Sequence, residues 1–88
     1  MRKETEVVVY TRPGCHLCEQ AVDRLVALHG EGYRFSLREI DIESEELLLR
    51  AHLERIPVVE IDGELVSELI LDEAAVRARL DSVGAWSR

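Results

Sequence analysis

Thr11-Arg12-Pro13-Gly14-Cys15-His16-Leu17-Cys18 contains both cysteines of the 88-residue chain, with two residues between them. The apolar run before it, residues 6–10, predicts a buried strand, and residues 19–29 after it have the spacing of an amphipathic helix. A Cys-x-x-Cys pair where a strand meets a helix suits thiol–disulfide exchange, because the unpaired amides and the dipole of the helix favour a thiolate there. Cys18 follows Cys15 by about one helical turn, so it is close enough to attack a mixed disulfide on Cys15.

Composition and charge argue against several classes of function. The chain has 11 Lys and Arg against 18 Asp and Glu, a net charge of −7, which is unfavourable for binding nucleic acid or an anionic membrane surface. No apolar run approaches the roughly 20 residues of a membrane span, and residues 1–6 lack a signal-peptide pattern. We therefore expect a cytoplasmic monomer with no nucleic-acid or membrane partner, whose acidity serves solubility.

Other roles for the cysteine pair are open at this point. A disulfide across two residues constrains little of the unfolded chain, so its value as a structural staple is small. Alternatively, both cysteines are small core residues, or they bind zinc together with His16 or His29. One Cys-x-x-Cys pair falls short of four good zinc ligands, so we predict no metal site.

The first helix and the second strand follow from apolar spacing. The helix is expected to end at Gly30, with Gly32 extending the turn. A second strand is expected within residues 34–42, starting near Leu37, because the apolar residues there fall in two phases. The expected core residues of the first helix are Leu17, Ala21, Val22, Leu25, Val26 and Leu28.

A second helix of about ten residues is expected to begin after the N-cap Ser44, with His52 on its surface. Its expected buried stripe is Leu47, Leu48 and Ala51, with Leu49 or Leu53. Residues 58–61 and 64–67 predict two strands joined by the hairpin Asp62-Gly63. Asp72 is expected to cap a last helix over residues 73–82, with Ala75, Val76 and Leu80 inward. Trp86 either covers the core or projects from it.

The resulting order of elements is β-α-β-α-β-β-α, which is typical of an α/β fold. Two crossovers imply parallel strands with helices over the sheet, and the final hairpin adds an antiparallel edge. We predict one domain over residues 1–88, a four-stranded mixed sheet with three helices.

Three segments resemble glutaredoxins, within the thioredoxin-fold superfamily. They are Tyr10-Thr11-Arg12-Pro13-Gly14-Cys15-His16-Leu17-Cys18, Arg55-Ile56-Pro57-Val58 and the Asp62-Gly63 hairpin. The resemblance extends over essentially the whole chain. It implies a thioredoxin/glutaredoxin-like fold and a redox-active disulfide that works in electron transport.

The resemblance also implies roles for single residues. Cys15 is similar to the exposed nucleophile of glutaredoxins and Cys18 to the resolving thiol. Pro57 resembles the cis-proline that faces the redox pair, and Ile56 would pair through its backbone with an extended substrate. Arg12 resembles the basic residue that glutaredoxins place near a glutathione carboxylate.

The environment of the first thiol predicts that it ionises readily. We expect the amides of Leu17 and Cys18 and the guanidinium of Arg12 to stabilise a thiolate on Cys15. His16 adds a positive charge there when it is protonated.

One segment departs from the glutaredoxin pattern. Glutaredoxins carry a Gly-Gly pair before the last helix, whereas this chain reads Ser67-Glu68-Leu69-Ile70-Leu71-Asp72-Glu73. The bulkier side chains would fill the groove where glutathione lies in that family, although Asp72 and Glu73 remain as partners for its amino group.

The sequence therefore predicts a small dithiol thiol–disulfide oxidoreductase, a glutaredoxin-like enzyme that reduces protein or low-molecular-weight disulfides. No resident cofactor is expected, and glutathione, a thioredoxin reductase or a dedicated partner is the electron donor. The alternatives are a redox-weak module that holds a peptide beside Pro57, or a metal- or cluster-binding protein.

Overall fold

The computed structural model describes residues 4–86 and confirms the predicted order of elements. A 3₁₀ turn, Ile42–Ser44, precedes the second helix. No helix within the described residues is long and apolar enough to cross a membrane. The strands are β1 (Glu6–Thr11), β2 (Ser36–Asp41), β3 (Val58–Ile61) and β4 (Glu64–Glu68), and the helices are α1 (His16–Glu31), α2 (Glu46–His52) and α3 (Glu73–Ser82).

The four strands form one mixed sheet in the order β2-β1-β3-β4. β1 is parallel to β2 and antiparallel to β3, and β4 pairs antiparallel with β3. The apolar β1 is thus central, as expected for a strand buried on both faces. β2 pairs with β1 from Ser36 onward without a bulge, so the late start that the sequence predicts is confirmed.

The main core lies between one face of the sheet and the helices α1 and α3. Val7 and Val9 share this face because side chains alternate along a strand. The buried residues of the cluster are Val7, Val9, Leu25, Leu28, Tyr33, Phe35, Val59, Ile61, Val76, Leu80 and Ala85. This packing fixes the start of α1 relative to the end of β1, where both cysteines lie.

The opposite face of the sheet carries Tyr10, which α2 covers. The ring of His52 stacks on the ring of Tyr10, with centroids 4.4 Å apart. The Tyr10 hydroxyl donates a hydrogen bond to Glu60 at 3.2 Å. Burial, together with the nearby Glu60 carboxylate, raises the pKa of Tyr10. His52 is therefore half-buried against the sheet rather than on the helix surface, which corrects the prediction.

The first helix is longer than predicted at both ends. Gly30 lies inside α1, and Gly32 ends it with a φ of 123°, a conformation that favours glycine. The amides of Gly32 and Tyr33 bond back to the carbonyls of His29 and Leu28, the pattern of a Schellman motif. Two expected core residues, Leu17 and Val26, are exposed, and Val22 is half-buried, because the core-facing stripe runs through Cys18, Ala21, Leu25 and Leu28.

The second helix also differs from its prediction. Ser44 belongs to the 3₁₀ turn, and the N-cap of α2 is Glu45, whose side chain makes no capping hydrogen bond. The Asp41 carboxylate caps this turn through the Glu43 amide, which delays the start of α2 and leaves it seven residues long. The expected stripe is not buried: Leu48 and Leu49 are half-buried, and Leu47, Ala51 and Leu53 are exposed.

The C-terminal turn and the cap of α3 form as predicted. Asp62 and Gly63 both have positive φ, the conformation of a type I′ hairpin turn. Asp72 caps α3 by accepting a hydrogen bond from the Ala75 amide at 3.0 Å. In α3, Val76 and Leu80 are fully buried and Ala75 is half-buried.

Trp86 lies at the end of the described chain. Its ring meets that of Tyr33 edge to face, with centroids 4.7 Å apart, and it stays 41% exposed. It therefore covers Tyr33 at the rim of the core rather than filling it.

An ion-pair network fastens α3 to α1. Arg24 contacts Glu73 at 2.8 Å, and Arg77 contacts both Glu73 and Glu31 at 3.0 Å. The hydrogen bonds from Arg24 and then Arg77 lower the pKa of Glu73. The same pairing with Glu31 and Glu73 raises the pKa of Arg77.

We expect Glu73→Gln to reduce the free energy of unfolding at pH 7 by about 1 kcal/mol. Because pairing lowers the pKa of folded Glu73, its ionised form stabilises the fold above the pKa of the unfolded chain, and this stabilisation disappears as pH falls through the lowered value. Urea unfolding followed by circular dichroism at pH 7 and in acid measures the difference, which should shrink in acid. As the control, Glu46→Gln removes a pair whose side chains are both more than 70% exposed and should change little. Equal effects of the two substitutions would contradict this account.

Candidate active site

A tight turn carries the chain from the end of β1 to the first cysteine. Pro13 and Gly14 occupy its centre, and the Cys15 amide donates to the Arg12 carbonyl at 3.1 Å. Gly14 has a φ of 80°, which a type II turn requires at its third position and which a side chain would strain. The turn therefore places Cys15 at the start of α1.

Cys15 is the N-cap residue of α1, in extended conformation, and its Sγ accepts a hydrogen bond from the Cys18 amide at 3.2 Å. The structure joins Cys15 and Cys18 in a disulfide, with their Cα atoms 5.2 Å apart. Cys15 is half-buried, whereas Cys18 is only 2% exposed. An external thiol or disulfide thus reaches Cys15 first, and Cys18 is protected behind it.

The two other motif residues with predicted roles lie on the surface beside the disulfide. Arg12 contacts Glu43 at 2.6 Å, so its guanidinium is paired with a carboxylate of the 3₁₀ turn instead of being free at the sulfur. His16 is the first residue of α1 and is exposed. Of the predicted donors to Cys15 Sγ, the Cys18 amide is the one that makes the hydrogen bond.

The second predicted segment reaches the same end of the sheet. Val58 pairs with Tyr10, so Pro57 lies beside the point where the motif leaves β1. The peptide bond between Ile56 and Pro57 is cis. Pro57 is buried and Ile56 is half-buried.

The backbone of this loop is already partly paired. The amides of Arg55 and Ile56 both donate to the His52 carbonyl, at 2.8 and 3.1 Å. The Ile56 amide is thus occupied, and Pro57 has no amide hydrogen to donate. Of the backbone groups at the Ile56–Pro57 bond, the Ile56 carbonyl is the one that could accept a hydrogen bond from a substrate strand. The resemblance implies pairing through the backbone of Ile56, and in the structure its amide is already bound to the His52 carbonyl.

The segment that departs from glutaredoxins forms an ordered loop before α3. The buried Ser67 hydroxyl accepts from the Asp72 amide at 2.8 Å, and Leu69, with a φ of 69°, donates its amide to the Arg55 carbonyl. Ile70 is 72% exposed. Asp72 caps α3 through Oδ1, and the two carboxylate oxygens of Glu73 are bound by Arg24 and Arg77, so Glu73 is already paired within the protein.

Sequence reasoning missed two contributors to this site. His52 anchors the loop before Pro57 through its carbonyl and stacks on Tyr10, while its buried Nδ1 has no hydrogen-bond partner among the described residues. Glu43 pairs with Arg12 across 31 positions of sequence. Neither contact has a local signal, because both depend on how distant segments meet.

No group of three or more metal-ligating side chains that is suited to a metal ion occurs in the part of the chain that the structure describes.

Comparison with known proteins agrees with this geometry. The profile of the glutaredoxin-like domain (DUF836) matches residues 6–81. The solved protein Ne2328 from Nitrosomonas europaea is 31% identical, covers 90% of this chain and 94% of its own, and has a TM-score of 0.77. Protein XcR50 from X. campestris is 28% identical over 86% of this chain and 96% of its own, with a TM-score of 0.70.

A thioredoxin mutant from Halobacterium salinarum NRC-1 is more distant. It is 21% identical, with 91% of this chain and 74% of its own covered and a TM-score of 0.63, a likeness that shows the fold alone. A comparison with curated proteins finds no match. The profile match includes both cysteines and the Pro57 loop. The chain therefore belongs to the glutaredoxin-like domain family (DUF836), with a thioredoxin fold and a Cys-x-x-Cys pair at the start of its first helix.

Proposed function

We propose that the protein is a dithiol oxidoreductase that reduces disulfides in proteins or small molecules. The observation that supports this most directly is the pairing at the start of α1, where Cys15 Sγ accepts the Cys18 amide and the two sulfurs form a disulfide. A donor amide and the positive end of a 16-residue helix both favour negative charge on that sulfur. The half-buried Cys15 is the nucleophile, and the buried Cys18 is the resolving thiol.

The reaction begins with the reduced dithiol. The Cys15 thiolate attacks one sulfur of the substrate disulfide, a bond forms between the two sulfurs, and the other half of the substrate leaves as a thiolate that takes a proton from water. The Cys18 thiol then loses its proton and attacks Cys15 Sγ, which forms the intramolecular disulfide and releases the second half as a thiol. Two electrons pass from the dithiol to the substrate, and a thiol or dithiol donor restores the reduced protein.

The loop before β3 aligns the substrate in this proposal. An extended chain beside Cys15 would donate a backbone hydrogen bond to the Ile56 carbonyl, next to the Pro57 ring. On the side of α1, His16 and Arg12 border the path by which this substrate chain reaches Cys15. The hydrogen bonds from the Arg55 and Ile56 amides to His52 hold the loop in place, which lowers the entropy lost on binding.

Glutathione is a poor electron donor in this proposal. Its amino end would need free acids near α3, yet Asp72 and Glu73 are engaged within the protein. Its carboxylate would need a free cation, yet Arg12 is paired with Glu43. The exposed side chains of Leu69 and Ile70 belong to the segment, residues 67–73, that lacks the Gly-Gly pair of glutaredoxins. A dithiol donor, from a reductase or a dedicated partner, fits better.

We expect Cys15→Ser to abolish reduction of hydroxyethyl disulfide, because no thiolate remains at the start of α1. Cys18→Ser should still attack and should accumulate a mixed disulfide on Cys15, since the resolving thiol is missing. Mass spectrometry of the trapped adduct and an assay of released thiol measure both outcomes. Activity that persists in Cys15→Ser, or an inactive wild type, would favour a binding module without redox chemistry.

Alkylation of reduced protein by iodoacetamide should have its pH midpoint below that of a free thiol, about 8.5. The Cys18 amide supplies the stabilising hydrogen bond, whereas Arg12 is paired elsewhere. Arg12→Gln should therefore move the midpoint by less than about 0.5 pH units. A midpoint at or above 8.5 would overturn the proposed nucleophile.

The turnover rate is measured with two electron donors, glutathione plus glutathione reductase and dithiothreitol, and each rate is divided by the rate of an active glutaredoxin with the same donor. The relative rate with glutathione should be at least about tenfold lower than the relative rate with dithiothreitol. NADPH consumption and direct thiol release measure the two rates. Relative rates that are equal for both donors would show that this loop accepts glutathione after all.

A further inference from the structure

An open cavity lies beside the disulfide, on the side of α1 and β2. Its volume is about 530 Å³, and its walls include Cys15 and Cys18 together with Arg12. Four further wall residues carry carboxylates: Glu19, Asp23, Glu39 and Asp41. A substrate that reaches Cys15 from this side meets those carboxylates first.

The fold itself brings the four acids together. Glu39 and Asp41 are two positions apart on β2, so both project from the same face of the sheet. Glu39 pairs with Val9, whose side chain packs in the core under α1, and Asp41 pairs with Thr11 next to the motif. Glu19 and Asp23 are four positions apart on α1, one above the other on one side of the helix.

Little positive charge opposes these acids. Among the described residues, none of the four wall carboxylates forms an ion pair, in contrast to Glu31 and Glu73, which share arginines. Arg12 is the one cationic wall residue in the described part of the chain, and it contacts Glu43 and so is already neutralised. The cavity beside the reactive sulfur therefore has a negative potential, and low-dielectric walls strengthen such a potential inside a cleft.

Resting on the proposed function, we propose that the substrates of this protein are disulfides flanked by cationic groups, such as a cystine next to lysine or arginine in a basic protein segment. An ammonium or guanidinium group in the cavity is attracted to the four carboxylates while its disulfide reaches Cys15 Sγ. A disulfide that carries carboxylates is repelled, and oxidised glutathione, which is net negative at neutral pH, belongs to this class.

Three small disulfides of different charge test the preference without a protein substrate. Cystamine is cationic, hydroxyethyl disulfide is neutral and dithiodipropionate is anionic. The fully reduced protein is mixed with each in single turnover, and the rate constants are divided by those of dithiothreitol, a neutral dithiol, to remove differences in intrinsic reactivity. We expect the corrected rate for cystamine to exceed that for hydroxyethyl disulfide by roughly three- to tenfold, and that for dithiodipropionate to be lower by a similar factor.

An ionic-strength series and two double substitutions identify the source of the charge preference. It should weaken as ionic strength rises from about 0.01 M to about 1 M, since the Debye length falls from about 30 to about 3 Å. The double variant Asp23→Asn with Glu39→Gln should lose most of the cystamine preference, measured as the ratio of the corrected cystamine rate to the corrected hydroxyethyl disulfide rate, because this ratio cancels any change in the reactivity of Cys15 itself. Its control, Glu4→Gln with Glu64→Gln, changes the net charge by the same amount through two carboxylates at the opposite end of β1, one of them paired with Arg79, and should retain the preference.

The outcomes separate this inference from the proposed function. If hydroxyethyl disulfide is reduced but the corrected rates do not depend on substrate charge, the preference is refuted and the oxidoreductase stands. If the wall variant and its control lose the cystamine preference equally, the cavity is refuted as the source of the preference, because net charge alone would then explain the loss. Failure to reduce any of the three disulfides would refute the proposed function itself.

Discussion

The hydrogen bond from the Cys18 amide to Cys15 Sγ is the contact on which the site depends. It exists because Cys15 is held as the N-cap of α1, where the first amides of a helix lack intrahelical partners. Two features hold Cys15 there: the turn through Gly14 with its positive φ, and the packing of α1 against the central strand β1. The most buried part of the sheet thus supports the segment that carries the cysteine pair.

A second constraint acts from the other face of the sheet. The His52 carbonyl takes the amides of Arg55 and Ile56, and the Arg55 carbonyl takes the amide of Leu69. These bonds join α2, the loop before β3 and the loop after β4 into one backbone network beside Pro57. Such a network orders the loop beside Pro57, and it also occupies the Ile56 amide within the protein.

The sequence was most informative where local chemistry decides the structure. Asp72 as a cap and Asp62-Gly63 as a turn each act within four residues, so the bounds of β3 and α3 are predicted correctly. The end of α1 was predicted at the wrong glycine, because Gly30 and Gly32 are equally good helix stops in the sequence. In the folded chain the Schellman hydrogen bonds form at Gly32. The cysteine pair was found from its spacing at a strand-to-helix junction and Pro57 from a family pattern, whereas Glu43 and His52 required the tertiary fold.

The acidity of the chain shows why composition alone misleads about function. A net charge of −7 accounts for solubility wherever the charges lie. The fold distributes them unevenly: Glu31 and Glu73 are neutralised by arginines that fasten two helices, while the acids of the cavity lie beside the disulfide with no such partner within residues 4–86. If the acidic residues served solubility alone, they could lie anywhere on the protein surface. In the proposed reaction the Cys15 sulfur becomes an anion, and carboxylates beside it oppose its ionisation, so we attribute their position to the charge of the substrate that approaches rather than to the sulfur.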